Sequence, residues 1–142
     1  MYLWDSNILR HFAEGRPVLL KNLQRRSLSE VALPSVVVAE VLRGRCEHAL
    51  KAAPSQAPIA HQRLIETQEL LRRFNILIFD DLSAGMMLQL QQRLKTHKRY
   101  ADAMIAAMAI AGDHIVVTRN VSHFVDLLPR AQVANWVDEL YD

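Results

Sequence analysis

The stretch that most constrains the fold is YADAMIAAMAI, Tyr100 to Ile110, with GDHIVVTRN directly behind it. It predicts an Ala-rich helix, a short turn at Gly112-Asp113, and a buried strand at Ile115 to Val117. One acid, Asp102, stands at the start of the helix. Ile105, Ala106 and Ala109 follow at i+3, i+4 and i+7, on the same face. A carboxylate heading an apolar stripe is pushed toward the interior, where its charge must be paired, hydrogen-bonded or bound to metal. The plainer reading is a helix-start aspartate stabilised by the macrodipole. Two other acids in comparable contexts, Asp5 and Glu40, give the first reading its weight.

From the N-terminus, MYLW predicts a short strand with Asp5 at its carboxyl end, and Ser6 as the cap of a helix from Asn7 to about Ala13. Gly15 stops that helix, and Pro17 opens another that runs to about Arg26. Val31-Ala32-Leu33 is a second strand. Ser35 is the expected cap of a helix that carries Glu40 on the apolar face of Val36 and Val37 and continues past Gly44 to about Ala53. PSQAP, Pro54 to Pro58, breaks the chain before an amphipathic helix from about Ile59 to Phe74. Ile76 to Phe79 is a third strand, and Asp80, Asp81 or Ser83 caps a helix reaching about Thr96. After the organising helix and fourth strand come a turn from Thr118 to Ser122, a short edge strand at Val133, and a last helical turn in NWVDEL.

Short apolar strands that alternate with helices argue an α/β fold with a parallel sheet covered on both faces. In such sheets the working crevice lies beyond the carboxyl ends of the strands, near the switch point. Asp5, Glu40, Asp102 and the Thr118-Arg119-Asn120 turn can converge there. The length of 142 residues favours one domain, 1–142. Apolar runs are far shorter than the ~20 residues a spanning helix needs, and Asp5 interrupts the start before a signal-peptide run develops. Cys46 is alone, so there is neither an internal disulfide nor a thiolate cluster, and a cytoplasmic protein fits best. A net charge of +2 does not by itself announce a nucleic-acid binder. The cluster Arg93, Lys95, His97, Lys98 and Arg99 just before Asp102 says more, although such runs are ordinarily solvated helix faces.

Two like charges ~4 Å apart repel by about 4 kcal/mol at an effective dielectric near 20, so three converging acids need a counter-charge. Oxygen-only ligands without a His or Cys cluster favour Mg²⁺ or Mn²⁺ over zinc. The chemistry this suits is hydrolysis of a phosphodiester, with no covalent nucleophile.

YLWDSNIL at the N-terminus, VVVAEVLRG, YADAMIAAMAIA and VVTRNVSHF resemble, in order and in spacing, the PIN-domain ribonucleases, especially toxins of the VapC type from bacterial toxin–antitoxin pairs. The resemblance covers nearly the whole chain. It implies a three-layer α/β/α sandwich with a central parallel sheet of four to five strands, and Mg²⁺- or Mn²⁺-dependent endoribonuclease activity. Asp5, Glu40 and Asp102 match the acidic metal ligands. Asn7 matches a polar residue that orients the first acid, and Thr118 a small hydroxyl residue after the fourth strand. The family often has a further acid in the next stretch, where this chain offers Asn120 and His123. Asn120 can bind a metal-held water or a phosphate oxygen but brings no charge.

The implied partners are RNA, a cognate antitoxin that inserts an Arg or Lys near the acids, and a second copy in a homodimer. The apolar helices around Phe12 and Leu19-Leu20 are candidate docking faces for antitoxin or second copy. Asp126, Asp138, Glu139 and Asp142 are read as surface charges, Trp4 and Trp136 as core, and Met86, Met87, Met104 and Met108 as core fillers. Gly44, one turn after Glu40, either leaves room for RNA backbone or is a packing glycine. A haloacid-dehalogenase-like phosphatase would need a second aspartate where Asn7 stands, and a response-regulator receiver an acidic pair at Asp5. The serious rival is a non-catalytic RNA-binding or scaffolding PIN domain, which should have lost an acid.

Overall fold

A computed structural model describes residues 1–141; Asp142 lies outside the described residues. Five strands, β1 (Tyr2–Trp4), β2 (Val31–Pro34), β3 (Asn75–Leu77), β4 (Ile115–Val117) and β5 (Val133–Ala134), form one sheet in the order β3-β2-β1-β4-β5, every neighbouring pair parallel. Six helices surround it: α1 (Ser6–Ala13), α2 (Pro17–Gln24), α3 (Ser35–Lys51), α4 (Ala57–Leu71), α5 (Asp81–Arg93) and α6 (Tyr100–Gly112). The expected parallel α/β/α sandwich is thus the observed architecture.

Side chains alternate across each strand. Leu3, Ala32, Val116 and Val133 enter one core with Met87, Leu90, Met108 and the alanines of α6. Trp4, Val31, Leu33, Val117 and Ala134 enter the other with Ile8, Leu19, Phe74 and Trp136. Burial on both faces explains why the central strands are unbroken apolar runs. β3 is the exception. As an edge strand it leaves Ile76 44% exposed, and Ile78, just beyond it, is 72% exposed. Its apolar run therefore overstated its burial.

Several local expectations shift by a residue. Asp5, not Ser6, caps α1, its carboxylate accepting the Ile8 N–H at 2.9 Å. Ser35 does not cap α3; its hydroxyl accepts the Phe79 N–H at 2.9 Å and pins the segment after β3 to the end of β2. Gly15 adopts the left-handed backbone (φ 72°) expected of a helix stop, but in the turn after α6 that conformation falls to Asp113 (φ 53°), not Gly112. At Gly112 a Cβ would meet the ring of half-buried His114, which would have to turn aside. NWVDEL is a turn, not a helix, organised by Asn135, whose side-chain oxygen accepts the Val137 and Asp138 N–H groups.

The C-terminal segment is clamped by α2. Fully buried Asn22 donates to the carbonyls of Trp136 (3.0 Å) and Glu139 (2.8 Å) and accepts the Tyr141 N–H (2.7 Å). The Arg26 guanidinium lies about 5 Å from the ring centroids of Tyr2, Trp136 and Tyr141.

Candidate active site

The chain builds β2 and β3 to one side of β1, then places β4 on the other, so the switch point lies between β1 and β4. Asp5 and Thr118 are the residues that follow those two strands. Asp5 N–H donates to the Val117 carbonyl (3.3 Å), continuing the pairing of the strands to the carboxylate. Helix α3 starts directly after β2 and carries Glu40. The tight turn through Asp113 sends β4 back along α6, which brings the start of α6, with Asp102, to the same end of the sheet. Topology alone therefore gathers Asp5, Glu40, Asp102 and Thr118 at the carboxyl ends of the strands.

Asp5 is held hardest. It is buried, with one oxygen accepting from Ile8 N–H (2.9 Å) and the other from the fully buried Thr118 hydroxyl (2.6 Å). Burial pushes its carboxyl above the ordinary aspartate value. The Thr118 hydroxyl and the N–H groups of Ile8 and Asn7 oppose that rise, and the charge of Asp102 adds to it. Asn7 thus reaches Asp5 through its backbone, while the orienting side chain is that of Thr118. The same hydroxyl accepts the Asn120 N–H at 3.0 Å, which folds the turn after β4 over Asp5.

Glu40 is half-buried. Its carboxyl is raised by burial first and then by the charges of Asp102 and Asp5, with Arg43 one turn on pulling the other way. Asp102 is raised by burial, and His123 and Arg99 counter the rise. The His123 Nδ1 stands 3.6 Å from an Asp102 oxygen, a charged pair when the imidazole is protonated. Arg99 is committed elsewhere, in a two-pronged ion pair with Asp126.

Two cavities flank Glu40. One of about 460 Å³ is lined by Glu40, Lys98, Tyr100, Asp102, Ser122 and His123. The other, about 310 Å³ and more apolar, lies between α1, α3 and α4, with Ser6, Leu9, Arg10, Gly44, Arg45 and Leu70 in its wall. Gly44 therefore borders open space, and nothing lies within 4 Å of where its Cβ would be. Arg43, Arg10, Arg45 and Tyr100 were not singled out from sequence. Arg43 was legible as the i+3 neighbour of Glu40; the others were not, because they depend on how α1, α3 and α6 pack.

The donor set fits a hard divalent cation: carboxylate oxygens that are partly desolvated and repel one another are what such an ion relieves. Yet among the described residues no three His, Cys, Asp or Glu side chains are drawn tightly enough together to hold a metal ion. Glu40 and Asp102 line one cavity, whereas Asp5 is buried and stands in the wall of neither, so the three do not close on a single point.

Comparison with known proteins agrees with this architecture. The PIN domain family model matches residues 2–125. No curated protein sequence matches the chain. Among solved structures, FitAcB from Neisseria gonorrhoeae is 29% identical with a TM-score of 0.73, over 98% of this chain and 100% of that one. A FitAB complex bound to a DNA fragment is 26% identical with a TM-score of 0.72, over 99% of both chains. A DNA-bound VapBC from Salmonella typhimurium has a TM-score of 0.73 over 95% of this chain and 97% of that one; at 20% identity the likeness is one of fold.

Proposed function

The chain belongs to the PIN domain family, and on that premise we propose that it is a divalent-metal-dependent endoribonuclease, the toxin of a VapC-type toxin–antitoxin pair, working in the cytoplasm as one domain. The observation that carries the reading is the gathering of acids at the switch point: Asp5 is buried there with its carboxylate fixed by Thr118, Glu40 and Asp102 line one cavity, and the charge of Asp102 raises both Asp5 and Glu40. Such repulsion costs stability unless the site binds a cation.

In this reading Asp5, Glu40 and Asp102 hold Mg²⁺ or Mn²⁺. When bound, the ion supplies an acidified water and charge stabilisation on a phosphodiester. The protein's own part is positional. Thr118 and the start of α1 fix the Asp5 carboxylate, so one donor is in place before the others move. Asn120, half-buried in the turn after β4, offers its side chain to a phosphate oxygen. Arg93, Lys95 and Lys98 draw the polyanion toward the acids, which would otherwise repel it.

The solved complexes similar to this chain include a toxin–antitoxin complex from Klebsiella pneumoniae, which supports an antitoxin as partner. An Arg or Lys of that antitoxin near the three acids would displace metal or RNA. Leu19 is fully buried, so a docking face on α1 and α2 would have to use half-buried Phe12 and Leu20 instead. A homodimer remains part of the proposal.

The test is RNA cleavage in Mn²⁺ or Mg²⁺ beside the same assay in EDTA, with Glu40→Gln as control. Metal-dependent cutting that falls at least about a hundredfold in the variant supports the reading. RNA that is bound but never cut, in either metal, favours the non-catalytic PIN domain.

A further inference from the structure

Of the nine Phe, Trp and Tyr residues, eight are buried or half-buried, and Tyr100 alone is exposed. Tyr2 and Tyr141 stack in the cluster around Trp136. Tyr100, 49% exposed, has neither a ring contact nor a hydrogen bond among the described residues. Its place is the wall of the polar cavity that holds Glu40 and Asp102. Singly exposed apolar side chains are ordinary, and Leu50 and Leu82 are more exposed than Tyr100; what sets Tyr100 apart is its place, a flat ring in the wall of the cavity beside the acids, where a ligand with a flat apolar face can lie on it.

We infer that Tyr100 is the stacking platform for one unpaired base of the substrate, with the Lys98 ammonium on an adjoining phosphate. This rests on the ribonuclease reading and adds a specificity-determining residue to it. Three observations fit. The ring is presented by a rigid base, because the 3-10 turn His97–Arg99 before it is tied by Arg99 to Asp126 and to the His123 carbonyl. Lys98 lines the same cavity and has no ion pair among the described residues. The cavity, about 460 Å³, has room for a nucleoside unit. A base can stack on an aromatic ring only when it is free of its own helix, so the platform selects single-stranded over duplex RNA.

The test is binding in EDTA, where nothing is cut, of a short fluorescein-labelled oligouridylate and of the same oligomer annealed to oligoadenylate. Tyr100→Ala is expected to weaken single-strand binding about five- to a hundredfold, the range for loss of one stacked base, and to leave duplex binding unchanged. Tyr100→Trp is expected to restore the affinity. Lys98→Gln should flatten the slope of log affinity against log salt by about 0.7. An oligomer carrying 2-aminopurine should be quenched by the parent and not by Tyr100→Ala. Thermal unfolding checks that the variants are folded. If the parent cuts RNA in Mn²⁺ yet Tyr100→Ala binds and quenches as the parent does, the platform is refuted and the ring belongs to a protein contact, while the ribonuclease reading stands. If the parent neither binds the single strand nor cuts it, the ribonuclease reading fails and the platform with it.

Discussion

Replacing Thr118 with Val keeps the shape of the side chain and removes one hydroxyl. That hydroxyl donates to Asp5 at 2.6 Å and accepts the Asn120 N–H at 3.0 Å, in a place with no solvent access. A hydrogen bond to a charged acceptor is worth about 1.5–3 kcal/mol net. Half-buried Asn120 can turn its N–H toward water, so its lost bond adds less than ~1 kcal/mol. The expected loss near neutral pH is about 2–3 kcal/mol, or roughly 5–10 °C in Tm for a chain of this size. The pH dependence carries the sharper test. The Asp5 carboxyl is raised above its ordinary value of 3.8 in the folded protein, so the native state binds more protons than the unfolded one and stability falls as pH rises from that value through the folded pKa. The Thr118 hydroxyl holds that rise down. Without it the penalty grows, and the gap between parent and Thr118→Val widens with pH. Once the pH is low enough to protonate Asp5, only an uncharged hydrogen bond of ~1 kcal/mol is missing. The assay is thermal unfolding in EDTA from about pH 3 to about pH 8, with Thr118→Ser, which keeps the donor, alongside. A gap of equal size at both ends would refute the idea that Thr118 acts through the Asp5 charge.

Changing Asp102 to Asn should raise the stability of the metal-free protein by about 1 kcal/mol or less, because it relieves repulsion on Asp5 and Glu40 while giving up the His123 pair. The same change should remove the stabilisation by excess Mn²⁺ and nearly abolish cleavage; a variant unchanged in EDTA, stabilised by Mn²⁺ like the parent and still cutting RNA would exclude Asp102 as a ligand. Asn22→Ala leaves two carbonyls and one N–H of the C-terminal segment without their partner, and should cost about 3 kcal/mol in urea unfolding, with RNA cleavage retained below the transition. A change under ~0.5 kcal/mol would show that water replaces the clamp at no cost.

The strand order was only partly legible. Alternating helices and apolar runs indicate a parallel sheet, and the carboxyl-end position of Asp5 follows from its place after YLW. What local patterning lacks is which strand stands beside β1. The pairing of β1 with β4 sets Thr118 against Asp5 across 113 positions of sequence. The same lack explains β3: Ile76 and Ile78 belong to an apolar run that reads as buried, but this edge of the sheet is left open to solvent while the other edge, β5, is covered. Cap residues slipped by one because Asp5 and Ser6 are both good caps, and only the direction of the carboxylate decides between them. Asp102 was legible through helical periodicity. His123 stood out in the stretch where the family often has a further acid, but its pairing with Asp102 was not legible, since the loop after β4 carries no period.

The Asn22 clamp has a topological corollary. Tyr2 and Tyr141 lie with ring centroids 6.1 Å apart, at the end of the sheet opposite Asp5. Tyr2 and Tyr141 are thus neighbours, and the backbone between them runs almost as a closed ring. A circular permutant should fold, with a short Gly-Ser bridge joining the old ends and new ones opened in the PSQAP turn between α3 and α4. The old ends likewise suit surface tethering: a chain immobilised through either would hold its carboxylates toward the bulk, open to nucleic acid arriving from solution.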